Sequence, residues 1–260
     1  MTFGTKPVKM LFDTGATHTT LDVDFVKEAF PEVILHPLAV PNSNVQQQVY
    51  IFKVPSMTIG TTTVGDFYMM ATDLKNLALQ MKVPVRGIVG LNVMQHQPFL
   101  LSLGTGSVTW SPLPLEGFTT LPKPEGAPER VILPIKTPLE KTIYLLLDSG
   151  ASYSFVPEEA WEASDKPLLL STTDVNSTQA RQFMYGVEGP MDFGGLAPNV
   201  TPIVLAKGSK RPSLLGADIL SLIDVYVDVP TRTLRAKWYG AKRTKNKTST
   251  TEAKEETLLQ

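Results

Sequence analysis

Residues 8–19 read VKMLFDTGATHT, and residues 143–154 read IYLLLDSGASYS. In each stretch an apolar run ends at an aspartate, Asp13 or Asp148, which is followed by Thr or Ser and then by Gly and Ala. The two aspartates lie 148 − 13 = 135 positions apart. A motif that recurs at such a distance predicts that the chain is built twice on one plan.

Three further sets of landmarks recur in the same order, at slowly drifting offsets. An ordered series of four matches is not explained by coincidence, so we interpret it as an internal duplication. The matched positions are Asn42, Ser43 and Gln48 with Asn176, Ser177 and Gln182 (offset 134), Gly90 with Gly216 (offset 126), and Trp110 with Trp238 (offset 128).

Most of the chain has the sequence pattern of β-strands. Short apolar or alternating runs are bounded by Gly, Pro, Asn or Thr, which is typical of strands joined by turns. We therefore predict an all-β fold with a few short helices. Those helices are expected at residues 22–30, 91–96, 157–163 and 217–222, and the Pro-Glu-Glu at 157–159 suits a first helical turn.

The repeats divide the chain into two units, residues 1–110 and residues 131–239. Between them, residues 111–130 are rich in Pro and Gly and are predicted to be a linker that continues neither a ladder nor a helix. Residues 240–260 are polar and charged, and we predict a disordered tail there. The second unit has a predicted strand at 131–136, but the equivalent positions of the first unit would fall before Met1. We therefore expect that the N-terminus is incomplete or that another part of the chain forms this edge of the first unit.

Composition excludes several classes of protein. A formal net charge of −1 gives no reason to expect nucleic acid as a partner. The absence of Cys excludes disulfides, thiolate nucleophiles and Cys-ligated metals. His18, His36 and His96 show no metal-ligand spacing, so we expect no metal and no cofactor. No signal peptide or transmembrane run is visible, and the sequence does not indicate a cellular compartment.

The flanks of the two aspartates make them candidate catalytic residues. A single Asp-(Thr/Ser)-Gly is weak support, because Asp and Gly also form ordinary turns. Here the preceding MLF and LLL place each carboxylate at the end of a buried strand, which costs several kcal/mol unless the group is paired or hydrogen-bonded. If the units pack about a pseudo-two-fold axis, Asp13 and Asp148 meet, share one proton, and can activate a water molecule.

The neighbouring residues suit this chemistry. Gly15 and Gly150 allow a backbone N–H to approach a carboxylate closely, because they have no Cβ. The hydroxyls of Thr14 and Ser149 can donate hydrogen bonds across the interface and lock the two loops together. The glycines of the later landmark pair would let a strand pass closely under each loop.

The order of Asp-(Thr/Ser)-Gly, a hairpin and apolar-apolar-Gly resembles that of the pepsin and retropepsin clan of aspartic peptidases, and its double occurrence is similar to the two-lobed members. Ala16 and Ala151 resemble the retropepsins and their bacterial relatives, since pepsins usually carry Ser or Thr there. The resemblance covers residues 8–238. It implies two homologous β-barrel lobes related by pseudo-two-fold symmetry, with Asp13 and Asp148 as the catalytic pair.

The resemblance also implies two flap hairpins over the cleft. Both carry Asn-Ser where retropepsins commonly have a glycine-rich tip. The flap residues would include Asn42, Ser43 and Tyr50 in the first repeat, and Asn176, Ser177 and Tyr185 in the second.

These observations predict an aspartic endopeptidase that acts on a polypeptide, as a monomer because one chain supplies both halves of the site. The main rival is a binding or assembly module that keeps this fold but does not cleave. Such a copy would be expected to lose an Asp or its Gly, and this chain keeps both in both repeats. A third interpretation, a β-sandwich with coincidental turns, leaves the ordered repeat unexplained.

Overall fold

The computed structural model describes residues 2–3, 6–38, 48–59, 62–112, 115–124, 126, 130–173 and 178–239. Strands dominate these residues and the helices are few and short, which confirms the all-β prediction. No helix in this part of the chain is long and apolar enough to cross a membrane.

The first half of the chain runs from a short hairpin to a second hairpin that ends at Trp110. Its elements are β1 (Thr2–Phe3), β2 (Lys6–Pro7), β3 (Leu11–Phe12), β4 (Thr20–Asp22), α1 (Val23–Ala29), β5 (His36–Leu38), β6 (Val49–Ile59), β7 (Thr62–Thr72), α2 (Lys75–Gln80), β8 (Gly87–Val89), α3 (Leu91–Met94), β9 (Phe99–Ser102) and β10 (Ser107–Trp110).

Among its described residues, the second half contains more strands than the first and only one α-helix. Its elements are β11 (Thr119–Thr120), β12 (Ile132–Lys136), β13 (Thr142–Leu147), β14 (Phe155–Pro157), β15 (Ala163–Thr173), β16 (Thr178–Gly186), β17 (Gly189–Pro190), β18 (Asn199–Val200), β19 (Ile203–Leu205), β20 (Leu214–Leu215), α4 (Ala217–Leu220), β21 (Ile223–Asp228) and β22 (Thr233–Trp238).

Two large sheets share one topology. The N-terminal sheet has the order β3-β8-β4-β7-β6-β5, and the C-terminal sheet has the order β12-β13-β20-β14-β19-β16-β15. Without β12 the two orders correspond strand for strand. The directions also correspond: the first two strands are parallel, the second and third antiparallel, the third and fourth parallel, and the rest antiparallel.

Both sheets are open, so the closed barrels that the resemblance implied are wrong. A sheet closes only if its first and last strands pair. In the described residues β3 stands five strands away from β5, and β12 stands six away from β15. The edge strands β3 and β5 have two and three residues, which leaves little ladder for closure.

The third large sheet joins the two halves. Its order is β10-β9-β21-β22-β11, and β9 runs antiparallel to β21. Leu100 pairs with Tyr226, an offset of 226 − 100 = 126, which equals the offset between Gly90 and Gly216. Phe99 pairs with Val227 and Leu101 with Val225, so the two strands cross about a local two-fold axis at the Leu100–Tyr226 pair.

The register of this sheet corrects one sequence landmark. Trp110 pairs with Phe99, and at the offset of 126 its equivalent is Ala236, which pairs with Val225. Trp238 lies two residues further along β22, opposite Ile223. The two tryptophans are therefore not structural equivalents, because the β21–β22 hairpin is longer than the β9–β10 hairpin by two residues per strand.

Two local predictions are wrong. The expected helix at 157–163 is a single 3-10 turn, Glu158–Ala160. It stops because Trp161 takes an extended backbone (φ −145°, ψ 135°), buries its ring and donates its indole N–H to Val187 O. The segment 111–130 does continue a ladder, since Thr119 and Thr120 pair with β22 in the central sheet.

Helix α2 was not predicted from the sequence. It buries none of its residues, so its sequence has no apolar stripe to reveal a helical period. It lies in the connection between β7 and β8, residues 73–86, where the second half has only residues 206–213 between β19 and β20.

Apolar side chains form one main core and one smaller cluster. The main core runs through both halves and includes Phe52, Leu147 and Val225. The smaller one, called here the Phe155 cluster, consists of Leu146, Phe155, Ile203, Leu205 and Leu214, with Ala151, Tyr153 and Phe183 packed against it. It belongs to the C-terminal sheet and reaches the loop that follows Asp148.

Candidate active site

Each aspartate follows a strand that a parallel neighbour holds in place. The N–H of Asp13, directly after β3, donates to the carbonyl of Val89 at the end of β8 (3.0 Å). The N–H of Asp148, directly after β13, donates to the carbonyl of Leu215 at the end of β20 (3.0 Å). The same local structure therefore presents both carboxylates.

The hydroxyls of Thr14 and Ser149 bind the two aspartate loops to each other. Thr14 Oγ1 donates to Leu147 O (2.8 Å), and Ser149 Oγ donates to Phe12 O (2.7 Å). Each hydroxyl also accepts the other residue's backbone N–H, at 3.1 Å for Thr14 N and 3.0 Å for Ser149 N. Both side chains are buried, so these reciprocal bonds fix the distance between the loops.

Each glycine of the motif faces the carboxyl group of the opposite loop. A Cβ on Gly15 would lie 2.5 Å from Asp148 Cγ, and a Cβ on Gly150 would lie 2.5 Å from Asp13 Cγ. Real Cβ atoms essentially never lie this close to another atom, so a side chain at either glycine would displace the opposite carboxyl group. The structure thus brings Asp13 and Asp148 together, close enough for each carboxyl group to affect the pKa of the other.

The backbone binds one oxygen of each carboxyl group. Asp13 Oδ1 accepts the N–H groups of Gly15 (2.8 Å) and Ala16 (3.2 Å). Asp148 Oδ1 accepts those of Gly150 and Ala151, both at 3.0 Å. In each carboxyl group Oδ1 therefore accepts hydrogen bonds from the backbone of its own loop.

The surroundings of the pair favour retention of a proton. Burial, and next the negative charge of Asp148, raise the pKa of Asp13 to about 7, although the N–H groups of Gly15 and Ala16 act in the opposite direction. Burial also raises the pKa of Asp148, while hydrogen bonds from Asp13 and from the backbone lower it. A pair of this kind holds one proton between its members up to near-neutral pH.

Gly90 and Gly216 lie under the two loops, as close contacts with the backbone show. A Cβ on Gly90 would lie 2.7 Å from His18 O, and one on Gly216 would press on the carbonyl of Tyr153. The residues that follow these glycines bind the loops directly: Leu91 N–H donates to Ala16 O (2.9 Å), and Ala217 N–H donates to Ala151 O (2.8 Å).

Four further residues brace the loops: Thr19 with Asn92, and Ser154 with Asp218. Asn92 Oδ1 accepts both the N–H (2.7 Å) and the hydroxyl (2.9 Å) of Thr19. At the equivalent place, Asp218 accepts the N–H (3.0 Å) and the hydroxyl (2.6 Å) of Ser154. The hydroxyls of Thr19 and Ser154 in turn accept the N–H groups of the two buried glycines, Gly90 and Gly216.

Asp218 lies in the first turn of α4, where its Oδ1 accepts the N–H of Ile219 (2.9 Å). Its carboxylate also braces Ser154 and, through it, the second loop. Burial raises the pKa of Asp218, and the bonds from Ser154 partly offset this effect. A hydroxyl residue six positions after each aspartate, with Asn or Asp two positions after each later glycine, is the signal that reveals this brace.

The structure places only part of the predicted flaps. Asn42, Ser43, Asn176 and Ser177 lie outside the described residues. Tyr50 is in β6 opposite Ala71, and Tyr185 is in β16 opposite Ile203. Ala71 and Val204 occupy equivalent places in the two sheets, and Val204 pairs with Met184. The residue equivalent to Tyr50 is therefore Met184, not Tyr185. Because neighbouring residues of a strand point to opposite faces, the two tyrosines project from opposite faces of their sheets.

No group of three or more His, Asp or Glu side chains in the described part of the chain is arranged to hold a metal ion.

Residues 1–93 match a family model described as aspartyl protease. The match supports the clan of pepsin and the retropepsins, and with it a protease function in general. No curated protein matches the chain.

Proposed function

We propose that this protein is an aspartic endopeptidase in which Asp13 and Asp148 together activate a water molecule. The observation that carries the proposal is the reciprocal contact of the two loops, in which each carboxyl group occupies the space left by the other loop's glycine. Two ionisable groups held this closely share a proton, which is the state that acid–base catalysis by a carboxyl pair requires.

The proposed reaction uses one member of the pair as a base and the other as an acid. The ionised carboxylate takes a proton from water, while the protonated carboxyl donates a hydrogen bond to the carbonyl of the scissile peptide bond. The water oxygen bonds to the carbonyl carbon and gives a tetrahedral diol. The diol collapses when the amide nitrogen takes a proton and leaves, so no covalent enzyme intermediate forms.

The same geometry argues against a catalytically silent binding module. A module that only binds has no use for two buried carboxyl groups in contact, since that arrangement costs free energy. Both aspartates, both glycines and both cross-loop hydroxyls are present and in place. We therefore favour catalysis over binding alone.

We propose a two-lobed monomer with the boundaries expected from the sequence: residues 1–110, a connecting segment 111–130, and residues 131–239. One chain supplies both aspartates, which removes the need for a second copy. The hairpins β5–β6 and β15–β16 would form the flaps over an extended polypeptide. They occupy corresponding places in the two sheets, which supports this assignment.

The test is cleavage of an unfolded protein between about pH 3 and about pH 8, with the cuts mapped by mass spectrometry. Asp13→Asn and Asp148→Asn should each abolish cleavage and remain folded. Asp192→Asn is the matched control, because Asp192 Oδ1 also accepts the N–H groups two and three residues on, at 2.8 Å and 2.7 Å. Cleavage that survives in either candidate variant, or that is lost in the control, contradicts the proposal.

A further inference from the structure

Strand β3 has an open edge at the place where its counterpart in the second half is covered. In the described residues β3 is the outermost strand of the N-terminal sheet, whereas β12 pairs along the corresponding edge of β13. β3 and β13 correspond because residues 8–19 and 143–154 align without a gap. The hairpin of β1 and β2 forms a separate sheet and does not extend the N-terminal one.

The backbone along this edge has a donor without an acceptor. Asp13 N–H donates to Val89 O beside β3, and successive amides of a strand point to opposite sides. The N–H of Phe12 therefore points away from β8, and no acceptor for it lies among the described residues. The equivalent N–H of Leu147 donates to Val131 O, directly before β12 (2.8 Å). An edge of this kind can pair with a further strand.

The apolar side chains at this edge are also more exposed than their equivalents. Leu145, Leu146 and Leu147 of β13 are all buried. Residues 10–12 at the equivalent positions are Met, Leu and Phe, and all three are partly exposed. A covering strand with apolar side chains would remove this surface from water, which is favourable.

The fold itself leads a later part of the chain towards this edge. The local two-fold axis of the central sheet relates β22 and β3 to β10 and β13, and it relates Ala236 to Trp110. After β10 the chain runs through 111–130 to β12, which lies beside β13. By the same symmetry, the chain that follows β22 runs towards the open edge of β3.

The spacing of apolar residues agrees with this path. Residues 132–133 of β12 are Ile-Leu and lie 132 − 110 = 22 and 133 − 110 = 23 positions after Trp110. Residues 258–259 are Leu-Leu and lie 258 − 236 = 22 and 259 − 236 = 23 positions after Ala236. These two leucines are the only large apolar residues in the sequence 240–260, so they identify the segment that suits the edge.

We propose that residues 257–260 pair antiparallel with β3 and complete the N-terminal sheet, in the place that β12 fills beside β13. The register of β12 on β13 sets the expected pairing, with Leu258 opposite Leu11 and Gln260 opposite Lys9. The N–H of Phe12 then donates to the carbonyl of residue 257. This pairing does not depend on the proposed peptidase function.

Hydrogen exchange of backbone amides in the full chain tests the pairing. In the wild type the amide of Phe12 should exchange slowly, as should that of Leu147 under β12. Leu258→Asp with Leu259→Asp should speed exchange at Phe12 by about 10-fold, the ratio for one hydrogen bond of typical net strength, and should leave Leu147 unchanged.

The matched control is Thr248→Asp with Thr250→Asp, which adds the same charge to the same part of the chain and should change neither amide. Fast exchange at Phe12 in the wild type would overturn the proposal, because the edge is then open. Slow exchange at Phe12 that persists in the leucine variant would also overturn it, because another segment then covers the edge.

A disulfide test distinguishes pairing within one chain from pairing between two copies. The chain has no Cys, so Lys9→Cys with Gln260→Cys supplies a single pair. The equivalent residues, Tyr144 and Pro134, form a non-hydrogen-bonded pair, whose Cα atoms lie about 4.5 Å apart, within the span of a disulfide. Oxidation should give a disulfide-linked monomer faster than in Lys9→Cys with Ala253→Cys. A rate equal to that of this control, or a disulfide-linked dimer, would overturn pairing within one chain.

Discussion

Replacement of Asp13 by Asn should make the protein more stable at neutral and alkaline pH. The pKa of Asp13 is raised in the folded protein to about 7 from an ordinary value of 3.8. A carboxyl group with a raised pKa adds stability that is fully present below the ordinary pKa and is lost as the pH rises through the folded value. The wild type should therefore lose stability between about pH 4 and about pH 7.

The size of the effect follows from the size of the shift. A change of about three pKa units corresponds to about 4 kcal/mol, which is an upper limit for the stability lost over this pH range. In Asp13→Asn the amide oxygen can still accept the N–H groups of Gly15 and Ala16, and the amide nitrogen can donate to Asp148. The variant should thus match the wild type near pH 4 and exceed it by up to about 4 kcal/mol at pH 8.

The assay is urea denaturation followed by tryptophan fluorescence at several pH values, with equal slopes required before free energies of unfolding are compared. Asp192→Asn measures the change in the free energy of unfolding when an amide replaces a carboxylate in the same kind of turn. This change is subtracted from the value for Asp13→Asn. If the curves of Asp13→Asn and the wild type run parallel over the whole pH range, the two carboxyl groups do not share a proton in the way described.

Three further changes test other parts of the site. Ala16→Ser with Ala151→Ser should shift the acid limb of kcat/KM to lower pH, because an added hydroxyl can donate to the ionised carboxylate and lower its pKa; an unmoved limb in the folded variant refutes this. Gly150→Ala should remove activity without unfolding the chain, since its Cβ displaces the carboxyl group of Asp13, and a crystal structure with Asp13 in place would contradict the reasoning. Asp218→Asn should retain the fold, because Asn92 fills the equivalent place in the first half. Its free energy of unfolding, measured by the same denaturation, should rise relative to that of the wild type as the pH rises through the raised pKa of Asp218. A difference in free energy that stays constant or falls with pH counts against this prediction.

The sequence predicted the centre of the molecule better than its periphery. The aspartate loops were predictable because their motif occurs twice and each copy follows an apolar run, so local pattern and repeat agree. The brace formed by Thr19 with Asn92 was not predicted, because its residues are 73 positions apart and only the same spacing at Ser154 and Asp218 indicates their pairing.

The errors have physical causes of their own. Trp110 and Trp238 end similar strands, but the length of a hairpin is set by pairing that no single sequence displays. The turn at Glu158–Ala160 has the composition of a helix start, and the burial of Trp161 overrides it. The tail at 240–260 and the flap tips lie outside the described residues, so their predictions stand untested.

The mutual packing of Gly15 with Asp148 and of Gly150 with Asp13 limits how the chain can evolve. The residue tolerated at either glycine is decided by a side chain that lies 133 or 137 positions away in the sequence (148 − 15 and 150 − 13). A side chain at either glycine would displace the carboxyl group of the opposite loop, so each loop constrains the other, whereas the connections before β8 and before β20 differ in length. The two halves are therefore alike at their centre and differ in the connections at the rim.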